Sequence, residues 1–298
     1  MAKRRLLVAV GLAVVLAACG RSEDSKPDLL LVSARDSDYA IYVLNEDGSA
    51  QKRLTANDAV QSANGAFFQV EADWAPDGRR IAFASRRRGS FDIYVMSADG
   101  TDTRRLTATG DDDDNPTWSP DGRRLAFNRA GDIYAMNADG TNVRRVTADL
   151  DPQTDPAWSP DGEWIAYVRG SQGTVGVDLR ELWLVQPDGG RNQALTTMGV
   201  SSYSPAWSPD STRIAFATNV ASTQFDIYTI GLDGKDEQRV TDTAEDTFEP
   251  AWSPDGKTIA CSEDGAIYVI DVAGAAATRI TDKANNDSSP AWSPLSTG

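Results

Sequence analysis

Six tryptophans, Trp74, Trp118, Trp158, Trp207, Trp252 and Trp292, follow one another at intervals of 40 to 49 residues, each inside a copy of one short motif. In its full form, at residues 116–122, 156–162 and 250–256, the motif reads Pro-x-Trp-Ser-Pro-Asp-Gly. After every tryptophan but the last come an apolar pair such as Ile81/Phe83, Leu125/Phe127 or Ile214/Phe216, an Ile-Tyr type pair and a closing apolar-Thr step, with an Asp-Gly turn before that step in every copy except the one after Trp252. One such unit carries four short strands and cannot bury its faces alone. A repeat of this length therefore predicts the blades of a β-propeller.

The phase of the repeat predicts how the ring closes. The Ile-Tyr element occurs six times, from Ile41/Tyr42 to Ile267/Tyr268, and so does the closing threonine, from Thr55 to Thr281. Residues 29–55 lack a tryptophan strand, while the last copy, ending Trp292-Ser293-Pro294-Leu295, is nothing else. If Trp292 supplies the innermost strand of the blade begun by residues 29–55, the count is six four-stranded antiparallel blades, all-β, and no sheet edge stays open at the junction.

The motif residues have physical jobs that require no substrate. Pro-Asp-Gly suits a tight turn, because proline presets φ and glycine accepts the left-handed conformation. The later pairs Asp47/Gly48, Asp99/Gly100, Asp139/Gly140, Asp188/Gly189 and Asp233/Gly234 are hairpin signals. The tryptophans read as wedges between neighbouring sheets, where their apolar area is best used, and not as a ligand cage.

Residues 1–18 read as a bacterial lipoprotein signal: Lys3-Arg4-Arg5, an apolar run from Leu6 to Leu16 too short to span a bilayer, then Leu16-Ala17-Ala18-Cys19. Cleavage before Cys19 would expose a cysteine for acylation, and residues 19–28 would form a polar tether ahead of a propeller over 29–298. The expected location is the periplasmic or extracellular face of a bacterial membrane, held by lipid alone. Cys261, standing where other blades carry Phe83, Phe127 or Phe216, reads as a buried thiol.

On these repeats, the blade count and the export signal, the chain resembles the TolB β-propeller family of the bacterial envelope, also described as having WD-like or PD-type repeats. The resemblance covers residues 29–298. It implies a propeller that serves protein interactions, while residues 29–298 leave no room for the α/β domain that precedes the propeller in TolB itself.

Loss of Lys3, Arg4 and Arg5 with the signal leaves 26 basic against 44 acidic residues, a net charge of −18. Such a body is unsuited to nucleic acid or to anionic headgroups and fits a monomer kept soluble by charge. The acidity is concentrated. The loops entering the innermost strands, residues 56–73, 108–117, 148–157, 197–206, 242–251 and 282–291, hold 16 acidic residues and one base, Lys283. One mouth of the channel should be strongly negative. The residue three before each tryptophan, Glu71, Asn115, Asp155, Ser204, Glu249 and Ser289, is expected to face that mouth. Glu71, Asn115, Asp155 and Glu249 are the candidate ligands for a hard cation such as Ca2+ or contacts for a partner. The first entry loop is eight residues longer than the rest, 19 against 11 from threonine to tryptophan, and carries Phe67 and Phe68 as candidate partner anchors or a local lid. Asp111 to Asp114 read as a solvated loop or a partner contact rather than a metal site, and Arg86-Arg87-Arg88 as a basic spot on the outer rim, a solvated turn more than a binding site.

The chain contains no histidine, which excludes Ser-His-Asp and Cys-His catalysis and His-ligated metals. The reading that follows is a non-enzymatic, envelope-anchored scaffold taking a protein partner at its acidic mouth. The alternatives are a small-ligand binder or a calcium-dependent, carboxylate-based hydrolase or lactonase.

Overall fold

The structure, a computed structural model, describes residues 28–36, 39–55, 71–172, 178–196, 201–221, 223–273 and 277–296. Cys19, Phe67 and Phe68 lie outside them. The described strands form six four-stranded antiparallel sheets, the blades. Blade 2 is built from Ala72–Trp74, Arg80–Arg88, Ser90–Ser97 and Arg104–Arg105, and blades 3 to 6 repeat its order from their inner strands Asp113–Trp118, Gln153–Trp158, Ser202–Trp207 and Thr247–Trp252 outward. Among the described residues the one helical segment is the 3-10 turn Lys283–Asn285, and no helix is long and apolar enough to cross a membrane.

Blade 1 joins the two ends of the chain, as the phase of the repeat predicts. Its outer strands are Leu29–Ser33, Ala40–Leu44 and Lys52–Arg53, and its inner strand is Asp287–Trp292. Leu29 faces Trp292 and Ser33 faces Asp287 in antiparallel register.

Each motif residue finds its job repeated around the ring. Among the described residues six apolar clusters fill the spaces between blades, and each contains one of the motif tryptophans: Trp74, Trp118, Trp158, Trp207, Trp252 or Trp292. The closing threonine accepts, through its hydroxyl, the backbone N–H of the Ile or Leu of the Ile-Tyr pair, at 2.8 to 3.0 Å in all six blades. That bond holds the short outer strand where its own ladder has only two or three residues. In the Ser-Pro-Asp turns, Ser119, Ser159, Ser208 and Ser253 donate to the aspartate two residues on at 2.6 to 2.7 Å. The same hydroxyls accept the N–H of the residue five further on, at or just before the start of the next strand, at 2.9 to 3.0 Å. Gly100, at φ +93, packs its α-carbon against the Leu54 carbonyl of the neighbouring blade, where an added Cβ would sit 2.6 Å from the oxygen. Cys261 is buried in the cluster between blades 5 and 6, and burial pushes its thiol far above the ordinary range.

The acidic channel mouth as candidate functional site

A one-residue bulge in the inner strand decides what faces the channel. In blades 1, 3, 4, 5 and 6 the register slips where Ser289, Asn115, Asp155, Ser204 and Glu249 stand. All five have φ between 49° and 54°, and each precedes a proline. A bulge leaves one residue out of the ladder and re-aims its side chain. Left-handed backbone is tolerated best by Asn, Asp and other short polar residues and poorly by Glu, so Glu249 is the most strained of the five.

The re-aimed side chains converge. Glu71, Asp155, Ser204, Glu249 and Ser289 line an axial cavity of about 120 Å³ whose wall is completed by Pro156, Pro205, Pro250 and Pro290. Asn115 completes the ring through hydrogen bonds: its side-chain amide donates to Asp155 at 2.8 Å, and it also bonds Glu71. The Ser204 N–H reaches Asp155 at 3.4 Å. On the other side Glu249 accepts from Ser262 Oγ at 2.8 Å, Ser289 N at 2.6 Å and Ser289 Oγ at 3.1 Å. Except for the Ser262 bond, which lies within blade 6, these bonds run from blade to blade, so Asp155 and Glu249 act as staples between sheets.

Burial sets their protonation. Desolvation pushes the Glu71 carboxyl well above its usual range; the charges of Asp155, Glu249 and Asp114 push it further, against the bond from Asn115. Desolvation also raises Asp155, opposed by the Ser204 N–H and the Arg180 charge. Asp114 is pushed up to about 6, again mainly by burial, against its 2.7 Å bond from the Asn128 amide.

Beside the ring the mouth opens into a cavity of about 760 Å³, framed by seven carboxylates, Asp114, Asp155, Asp246, Glu249, Glu263, Asp264 and Asp287, and by one described cation, Arg180. Tyr203, Phe225 and Phe248 form part of its lining. The mouth is therefore negative, as the loop composition predicts. A calcium centre is a different matter: among the described residues no three carboxylates, thiols or imidazoles gather into a group able to hold a metal ion. Asp155 and Glu249 are each already bonded within separate staples.

Two loop expectations are corrected. Asp111 to Asp114 are not one solvated run: Asp113 is buried and takes a two-pronged contact from Arg129, Asp112 accepts the Phe91 N–H at 2.7 Å and pairs with Arg86 at 3.0 Å, and Asp114 lines the mouth. Arg86 and Arg87 lie over the rings of Phe91 and Tyr94 at 4.6 and 4.5 Å, so they cover the blade edge instead of forming a plain solvated turn.

The TolB beta propeller domain family matches this chain over residues 22–130, 59–184 and 178–297. The chain belongs to the TolB β-propeller family. TolB from Acinetobacter baumannii superposes with a TM-score of 0.75 at 19% identity, over 90% of this chain and 66% of that one. A putative TolB from Agrobacterium tumefaciens gives 0.67 at 19%, over 86% and 89%. The tricorn protease gives 0.60 at 22%, over 86% of this chain and 26% of its own length. Identities of this size establish the fold alone.

Within this TolB-family propeller, three site features are invisible to the motif pattern. Asp73, one residue before its tryptophan, is half-buried at the far end of the channel, accepts the Trp118 N–H at 2.8 Å, and is pushed up to about 6 by desolvation. The equivalent residues are Thr117, Ala157, Ala206, Ala251 and Ala291, so the column of aligned repeats shows the oddity once it is read. Tyr203 and Phe248 share the column four before the tryptophan with Asp114, Thr154 and Ser288, an aromatic signal of the same kind. Arg180 carries no such signal; it stands on the strand Asp178–Val185 of blade 4, opposite Gly170.

Proposed function

We propose that this propeller is a non-catalytic, envelope-anchored scaffold that takes a protein partner at its acidic mouth. The supporting observation is the 760 Å³ cavity with seven carboxylates on a rigid ring of loops, a concave, strongly charged surface suited to steering and holding a basic partner. TolB-like propellers mediate protein interactions as a class. The anchor reading adds an orientation. Asp28 is bonded to Leu44 and Ser293 at the turn end of blade 1, opposite the end where Ser33 faces Asp287. A tether from Cys19 would enter there and leave the mouth facing away from the membrane.

The test is site-specific photocrosslinking in intact envelopes, with the probe at Ser288 beside the mouth or at Thr212 on the turn face. A discrete protein adduct from Ser288 and none from Thr212 is expected. No adduct from Ser288, or the same adduct from both, would refute the reading.

One observation favours a second reading, a small-ligand or hydrolytic site: Glu71 and Asp114 are carboxyls with raised pKa beside a sizeable cavity. Against it stands the staple geometry, in which Asp155 and Glu249 are committed to neighbouring blades. Hydrolysis of a sugar or lactone substrate, abolished by Glu71→Gln, would establish that reading.

A further inference from the structure

The wall of the mouth cavity is not uniformly acidic. On blades 5 and 6, Tyr203, Phe225 and Phe248 stand in mutual contact: Tyr203 meets Phe225 edge-on at 5.4 Å and Phe248 at 6.4 Å, and Phe225 and Phe248 lie 5.0 Å apart at 34°. All three are half-buried and all three line the cavity. Carboxylates flank them on the same two blades. Asp246 accepts the Phe225 N–H at 2.8 Å and is itself exposed, and Glu249 follows Phe248 directly in the inner strand.

Aromatic faces carry negative electrostatic potential, and carboxylates beside them add to it. A neutral apolar ligand would match the rings and leave the carboxylates desolvated; an inorganic ion would match the carboxylates and ignore the rings. A weakly hydrated, planar cation on an aliphatic stem satisfies both. The protein shows this preference within itself, since the Arg180 guanidinium lies over the Tyr203 ring at 5.3 Å, in the same cavity. Charge balance leaves room for another. Lys283 pairs with Asp264 and Arg35 with Asp287, while seven carboxylates and one described cation, Arg180, line the cavity.

We propose that the corner formed by Phe225, Phe248 and the exposed Asp246 is a receptor for an arginine side chain presented on an extended segment of a partner polypeptide. The inference rests on the scaffold reading of the mouth and narrows it from a basic partner to one guanidinium seated on a named aromatic corner. A polypeptide source follows from size: a cavity of about 760 Å³ exceeds what one guanidinium fills and accommodates the flanking backbone.

The test uses the full chain in detergent, titrated calorimetrically with the peptide acetyl-Gly-Gly-Arg-Gly-Gly-amide. The probe should bind saturably and weaken with salt. The same peptide with citrulline, which keeps the shape and loses the charge, should bind at least about tenfold more weakly, a difference of about 1.4 kcal/mol. Phe248→Leu and Phe225→Leu, which keep apolar volume, should each weaken binding several-fold with little change in melting temperature. Arg180→Gln should tighten it, because a competing cation leaves the rings; a merely structural role for these residues would not produce opposite signs. Equal binding of the citrulline peptide, or unchanged binding by both leucine variants, would overturn the proposal. Agmatine binding as tightly as the peptide would overturn the polypeptide source. If mouth crosslinks persist while the arginine peptide fails to bind, the aromatic corner is wrong and the scaffold stands. Peptide binding without any crosslinked protein would support the corner and sink the scaffold reading.

Discussion

Ser289 donates its backbone N–H to the Glu249 carboxylate at 2.6 Å and its hydroxyl to the other oxygen at 3.1 Å, joining two residues 40 positions apart. Glu249 belongs to blade 6, and Ser289 lies in the strand that the end of the chain lends to blade 1. One carboxylate thus supplies charge to the mouth and holds the junction of the ring, although its backbone sits at a φ of 54° that a glutamate does not favour. The strain and the bond are opposite sides of one arrangement.

Glu249→Ala should therefore lower stability by about 1–3 kcal/mol, the cost of leaving buried donors without an acceptor. Glu249→Gln, which keeps one acceptor oxygen, should recover most of the loss. Urea midpoints decide this. An alanine variant as stable as the parent would mean that the staple contributes nothing.

Closure makes a larger demand. Deleting residues 288–298 removes most of the inner strand of blade 1, exposes the edge of Leu29–Ser33 and takes Trp292 out of the cluster that also holds Ala260 and Ile267 of blade 6. Trp292→Ala alone should cost about 3–5 kcal/mol, and the deletion more, because a propeller with an open edge invites pairing with other chains. A melting temperature unchanged by the deletion would contradict the pairing of the two ends.

The blade count and the closure were legible because each depends on a residue that recurs with fixed phase: the tryptophan between sheets, the threonine that caps the outer strand, the glycine of the turn. The site was legible only in part. Position three before the tryptophan is the residue that a bulge re-aims in the inner strands of blades 1, 3, 4, 5 and 6. What those residues bond to was not legible, because Asn115 with Asp155 and Glu249 with Ser289 are contacts between blades, and a period of one blade contains no information about its neighbour's rotamers. Carboxylates counted by loop likewise do not reveal that Asp155 and Glu249 already accept from asparagine and serine donors. Phe67 and Phe68 lie outside the described residues.

The anchor is tested by fatty-acid labelling. The parent chain should take up a clickable palmitate analogue and sediment with membranes, whereas Cys19→Ala should be unlabelled and soluble. With the anchor in place, a fluorophore beside Ser288 should be quenched less by membrane-bound acceptors than one at Thr212, since the mouth lies at the far end from Asp28. Equal quenching at the two sites would remove the orientation while leaving the anchor.

Acid titration offers the sharpest check on the channel. Burial holds Asp73 and Asp114 up at about 6 and Glu71 well above its usual value, while in the unfolded chain they titrate near about 4. The folded state therefore binds more protons in this window, and its stability must fall as pH rises from about 4 through about 6. The opposite trend comes from turn aspartates such as Asp255, held down at about 2 by Lys257, Ser253 and the turn backbone; their contribution exists above about 4 and disappears as pH falls towards 2, but it is small at an exposed turn. The melting temperature should consequently peak near pH 4–5 and decline by several degrees towards pH 7. Asp73→Asn keeps an acceptor for the Trp118 N–H and has no proton to lose, so it should flatten the decline and melt above the parent at pH 7. A parent profile that rises from pH 4 to 7, or an asparagine variant that follows the parent's decline, would show that the channel carboxyls are ionised at no cost to the fold.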